Sequence, residues 1–104
     1  MNRYKLSRQA VSDLEEIADY IARDNPQAAI RVIDAVHETL TLLAGNPEMG
    51  AARDDLRSNL RVFPARKPAQ RYVIAYHPTA HGIEVNSVIH SARDWIGLLG
   101  RGPR

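Results

Sequence analysis

The first half of the chain repeats its apolar residues every three or four positions, and the second half alternates them. Arg3 to Leu6 opens with polar and apolar residues in turn, placing Tyr4 and Leu6 on one side as a short strand would. Ser7 then suits a helix N-cap, because its hydroxyl can accept from the first-turn amides. Leu6 and Val11 sit at the spacing of a hydrophobic staple across that cap. Ala10, Leu14, Ile17 and Ile21 follow at steps of 4, 3 and 4, the stripe of an amphipathic helix. Asp13, Glu15, Glu16 and Asp19 near its front half suit the helix dipole.

Asn25-Pro26 closes this helix and opens a second, with asparagine as cap and proline where no hydrogen bond is lost. The second stripe is Ala29, Ile33, Val36, Leu40 and Leu43, which predicts a long helix from about Gln27 to Ala44. Gly45-Asn46-Pro47 ends it, glycine at C′ and proline beyond. Two helices joined by so short a turn should form an antiparallel hairpin.

After a polar connection from Pro47 to Asn59 come three strand-like runs: Leu60 to Phe63, Arg71 to His77 and Ile83 to Ile89. In the second, Tyr72, Ile74 and Tyr76 alternate with Val73, Ala75 and His77. In the third, Ile83, Val85 and Ile89 are expected on one face. Both faces carry apolar residues, so one should pack on the helices and the other be partly covered. Pro64 to Ala69 reads as a basic loop and Pro78 to Gly82 as a hairpin loop. A short turn is expected at Ala92 to Leu99. The predicted fold is α+β: an N-terminal strand, a helix hairpin, then a three-stranded antiparallel sheet packed on the helices. One domain should occupy residues 1–96, and Gly/Pro/Arg-rich residues 97–104 should form a flexible tail.

Composition narrows the function classes. A chain of 104 residues is a single domain, and 44% hydrophobic with 25% charged residues is ordinary for a globular one. The absence of cysteine rules out disulfides, zinc ribbons and thiol catalysis. No signal-like or membrane-spanning apolar run occurs, so the expected location is the cytoplasm. Charge is uneven: residues 1–43 hold seven acids against five bases, and residues 44–104 five against nine. The basic half suits an acidic partner, nucleic acid or protein, although ordinary solvated charge explains it equally well.

No Gly-rich phosphate loop, HExxH or GxSxG is present. The four histidines lack helical i+3 or i+4 partners, His37 reads as a surface residue, and no metal is expected. Glu15 and Glu16 lie about 100° apart on their helix and cannot converge as an acid/base pair. Arg61, Arg71, Tyr72, Tyr76, His90 and Arg93 remain. Arginine, tyrosine and histidine together can hold a phosphate and move a proton without a metal. The same residues have plainer uses: ring packing for the tyrosines, a pair of Arg93 with Asp94, a buried neutral His90. Residue chemistry alone favours the plainer uses.

Taken in order, several short segments resemble the RelE/ParE superfamily of type II toxin–antitoxin toxins, and its ParE branch in particular. They are Tyr4-Lys-Leu-Ser7 with Ala10, Asp13-Leu14, Ile17 and Tyr20-Ile21; Pro26-Gln-Ala-Ala29 with Arg31; Leu43-Ala-Gly-Asn-Pro47 with Gly50 and Arg53; Leu60-Arg61; Arg71-Tyr-Val-Ile-Ala-Tyr76; and Val88-Ile-His-Ser-Ala-Arg-Asp94. The resemblance covers Tyr4 to about Trp95. It implies the α+β fold already reached, and a toxin that inhibits DNA gyrase and is neutralised by a ParD-like antitoxin in a hetero-oligomer. DNA would then be met only through the antitoxin, and no cofactor is implied. The long second helix and the His90-to-Asp94 ending lean towards ParE. RelE-like relatives instead cleave mRNA on the ribosome, and the alternative is a metal-independent ribonuclease using Arg61, Arg71, Tyr76, His90 and Arg93. Gyrase inhibition is a binding activity, so no catalytic residue is carried over; Arg61, Arg71, His90 and Arg93 are the target-binding candidates. A third possibility is a module that has lost toxicity and only binds its antitoxin.

Overall fold

A computed structural model describes residues 3–100. In chain order the elements are β1 (Arg3–Leu6), α1 (Arg8–Ala22), α2 (Pro26–Gly45), β2 (Ala51–Ala52), β3 (Arg61–Pro64), β4 (Tyr72–Thr79), β5 (Gly82–His90) and α3 (Trp95–Gly100). The expected α+β architecture is present. The sheet has five strands in the order β1-β5-β4-β3-β2, because β1 joins parallel to β5 and the two-residue β2 is added beyond β3. The β4–β5 hairpin is tighter than expected: the strands run to Thr79 and from Gly82, leaving Ala80-His81 as the turn.

Both helix starts follow from their caps. Ser7 Oγ accepts from the Ala10 amide at 3.0 Å, and Asn25 Oδ1 accepts from the Ala28 amide at 3.1 Å. At the end of α2, Gly45 is itself helical and Asn46 does the capping, its Nδ2 donating to the Leu42 carbonyl at 3.0 Å. The staple expected between Leu6 and Val11 is weak, since Val11 stays 42% exposed. α2 contributes more of the main core than any other element, with Val36, Leu40 and Leu43 packed with Ile74, Tyr76, Ile83 and Val85 of the sheet.

β1 ends at Leu6 opposite Val85, while β5 runs on to His90. The bare edge of β5 that follows is covered by α1, which takes over its backbone groups one by one. The Ser7 amide donates to the Val85 carbonyl at 3.0 Å, and Ser7 Oγ donates to the Asn86 carbonyl at 2.7 Å. Nearly two turns further, Asp13 Oδ2 accepts from the Val88 amide at 2.9 Å, and Oδ1 accepts from Gln9 Nε2 at 2.8 Å. Asp13 is only 8% exposed, so it serves the strand edge and not the helix dipole expected for it. Replacing Asp13 with alanine should leave the buried Val88 amide unpaired and cost about 1–3 kcal/mol, whereas asparagine, which keeps an acceptor, should cost less. Urea denaturation of the two variants measures the difference.

A β-bulge corrects the expectation for β5. Ala75 pairs with Ser87 and Tyr76 with Val85, leaving Asn86 as the extra residue. One extra residue reverses the alternation, so Ile83, Val85 and Val88 face the helices while Ile89 turns to the opposite face. There Ile89 joins Leu60, Ala75 and Leu99 in a second cluster, with Trp95 and Leu98 against it. Residues 97–100 complete α3, Leu99 is buried, and Arg57 Nε donates to the Leu99 carbonyl at 2.8 Å. Residues 101–104 lie outside those described. Arg53, in turn, sits 5.6 Å from the Trp95 ring centroid and donates twice to Asp55, each bond 3.0 Å.

Candidate functional site

The residues singled out from the sequence separate into two places. Arg61 opens β3 and lies opposite Tyr76 across the sheet. Its Nη1 donates to the carbonyls of Glu48, at 3.0 Å, and Gly50, at 2.6 Å. The Tyr76 hydroxyl donates to the Pro47 carbonyl at 2.7 Å and accepts from the Gly50 amide at 2.9 Å. Both side chains thus fasten the 47–50 turn that follows α2. Tyr76 is wholly buried, which removes it from contact with any substrate.

Arg71, Tyr72, His90 and Arg93 lie at the other end of the sheet. Tyr76 lies four positions along β4 from Tyr72, about 13 Å at the usual strand rise. Tyr72 and His90 are cross-strand partners with ring centroids 5.2 Å apart, edge to face. His90 Nδ1 accepts from the Ala92 amide at 3.0 Å. That bond assigns the proton of the neutral ring to Nε2. Arg71 is tied in through its backbone, its carbonyl accepting from the Ser91 amide at 2.7 Å.

This end of the sheet borders an open cleft of about 520 Å³, whose far wall is α1. Tyr72, His90 and Arg93 line one side, and Glu16, Asp19, Tyr20 and Arg23 the other. Tyr20 is 70% exposed although it follows the apolar stripe in sequence. These α1 residues went unrecognised in the sequence. At Tyr20 a periodic reading sees only helix, and nothing local shows that the strand it faces stops supplying side chains to cover it. His37 is likewise more engaged than a surface residue, since the Tyr4 hydroxyl and His37 Nδ1 are 2.7 Å apart, joining β1 to α2.

Burial raises the Tyr72 hydroxyl above the ordinary tyrosine value, and the nearby Tyr20 raises it further. Burial also raises Tyr76, partly offset by the Gly50 hydrogen bond and the Arg61 charge. Both groups hold their protons more tightly folded than unfolded. Their contribution to stability is therefore complete below the unfolded value near pH 10 and is lost as pH rises through the folded values. Alkaline titration should show stability falling above about pH 10, less steeply in Tyr76→Phe. The ultraviolet absorbance of ionised tyrosine follows the same titration directly.

Residues 4–95 match the family model described as ParE toxin of the type II toxin–antitoxin system parDE. A Sinorhizobium fredii protein named "Putative toxin Y4kP" is 29% identical over 97 residues, covering 93% of this chain and 96% of that protein. Among solved structures, a chain of the chromosomal ParDE toxin–antitoxin system from P. aeruginosa superposes with a TM-score of 0.69. It covers 86% of this chain and 96% of its own at 20% identity, a likeness of fold. With the family model spanning all but the ends of the chain, this protein belongs to the ParE toxin family of type II toxin–antitoxin systems.

Proposed function

We propose that this protein is the toxin of its module, that it inhibits DNA gyrase, and that a cognate ParD-like antitoxin neutralises it in the cytoplasm. The family match supports the toxin assignment, and the structural neighbour named for a ParDE system supports an antitoxin as the kind of partner. The preference for binding over catalysis rests on one observation. Arg61 and Tyr76, two of the five residues needed by the ribonuclease alternative, are spent on the 47–50 turn. Arg71, His90 and Arg93 stand apart from them, and serve better as target-binding residues than as a complete catalytic set. Among the described residues no helix is long and apolar enough to cross a membrane.

The antitoxin segment expected here is acidic and folds on binding, drawn by the positive field of the chain's second half. Gyrase supercoiling in the presence of purified toxin, with and without antitoxin, tests the proposal. Growth arrest on expression without antitoxin separates an active toxin from a module that has lost toxicity. Against the gyrase reading, codon-specific RNA ends in translating extracts with supercoiling untouched would favour the ribonuclease.

A further inference from the structure

The cleft between α1 and the His90 end of the sheet has an uneven chemistry that an acidic peptide does not match. Three aromatic rings converge there from three elements: Tyr20 from α1, Tyr72 from β4 and His90 from β5. Arg23 and Arg93, each three residues beyond one of these rings, line the same cleft. At the same sheet end the chain adds Arg66, Lys67 and Arg71, all exposed. Among the described residues none of these five cations pairs with a carboxylate within 4.0 Å, the ion pair present being Arg53–Asp55. The cleft also holds the carboxylates of Glu16 and Asp19, on its α1 wall. A carboxylate-rich ligand would gain from the arginines and be repelled by these acids.

A nucleotide carries both complements. Its phosphates suit the arginines, its base stacks on aromatic rings, and the exocyclic amines of cytosine and adenine donate to carboxylates. We propose that this cleft binds single-stranded nucleic acid directly, with an unpaired base among Tyr20, Tyr72 and His90 and the flanking phosphates on Arg23 and Arg93. Duplex DNA is excluded by the same account, because its bases are paired and stacked away from the cleft. This goes beyond a family toxin that meets DNA only through its antitoxin, and it holds whether or not gyrase is the target.

Fluorescence anisotropy of the full-length toxin with a labelled dC 12-mer tests it. Binding should weaken as salt rises, and a duplex of the same length should bind more weakly. Tyr20→Ala, at an exposed position where folding is not at stake, should weaken binding by roughly fivefold or more. Arg23→Ala and Arg93→Ala should each weaken it and lower the salt slope by about 0.7. Lys5→Ala, at the opposite end of the sheet, should bind as the parent does, and RNA of the same sequence should bind comparably. Three results would overturn the proposal. One is no binding at low salt, or binding unaffected by Tyr20→Ala and Arg93→Ala. Another is equal affinity for an abasic 12-mer, which would take the base out of the cleft. The third is equal affinity for polyglutamate of matched charge, which would assign the cleft to an acidic protein.

Discussion

Gly82→Ala is expected to cost about 3–5 kcal/mol, combining backbone strain with a collision inside the sheet. That is a large part of the 5–15 kcal/mol that holds a domain folded. Gly82 has φ 144°, a conformation that side chains rarely adopt. It also lies opposite Arg3 in the β1–β5 ladder. A Cβ placed on it would overlap the Arg3 carbonyl oxygen and come within 2.7 Å of the Arg3 amide nitrogen. These are backbone atoms of the strand it pairs with, so nothing can swing aside. Relief requires β1 to leave β5, which would strip cover from Ile83 and Val85 and detach the start of α1. Equilibrium urea denaturation should show the midpoint collapse. A loss below about 1 kcal/mol would mean that β1 is not docked in this register.

The second large effect is expected at Tyr76. Truncation to alanine should cost about 3–5 kcal/mol, the usual range for emptying a buried aromatic site. Tyr76→Phe keeps the ring and removes only the hydroxyl, leaving the Gly50 amide and the Pro47 carbonyl without their partner. It should cost about 1–3 kcal/mol. Gly50 has no room to compensate, since a Cβ there would fall 2.6 Å from the Tyr76 hydroxyl oxygen. The two variants together separate ring packing from hydrogen bonding. If Tyr76→Phe were as stable as the parent yet lost toxicity in a growth assay, Tyr76 would have a functional role that its burial argues against.

Tyr76 shows where the sequence could be read and where it could not. Helix periods, caps and strand runs depend on neighbours within a few residues, so Ser7, Asn25 and the two apolar stripes declared their roles. The placement of Arg61 and Tyr76 depends on a turn more than ten residues away in sequence, and residue type alone made them look like chemistry. Ile89 lies on the face opposite to the one simple alternation gives it, because one extra residue, Asn86, reverses the strand's alternation without a mark in its composition. Asp13 looks like a helix-dipole acid in the sequence because the amide it serves, Val88, is 75 residues distant. The candidate site was half legible for the same reason. Its strand-end residues Arg71, Tyr72, His90 and Arg93 cluster near the ends of recognisable strands. Its α1 wall shows only once the helix is seen lying along the β5 edge.

Plasmid supercoiling by purified gyrase tests the proposed gyrase inhibition most directly. Micromolar toxin should suppress supercoiling or trap cleaved DNA, and an equimolar cognate antitoxin should restore activity. Unchanged supercoiling at that concentration, from toxin that arrests growth when expressed alone, would contradict the account.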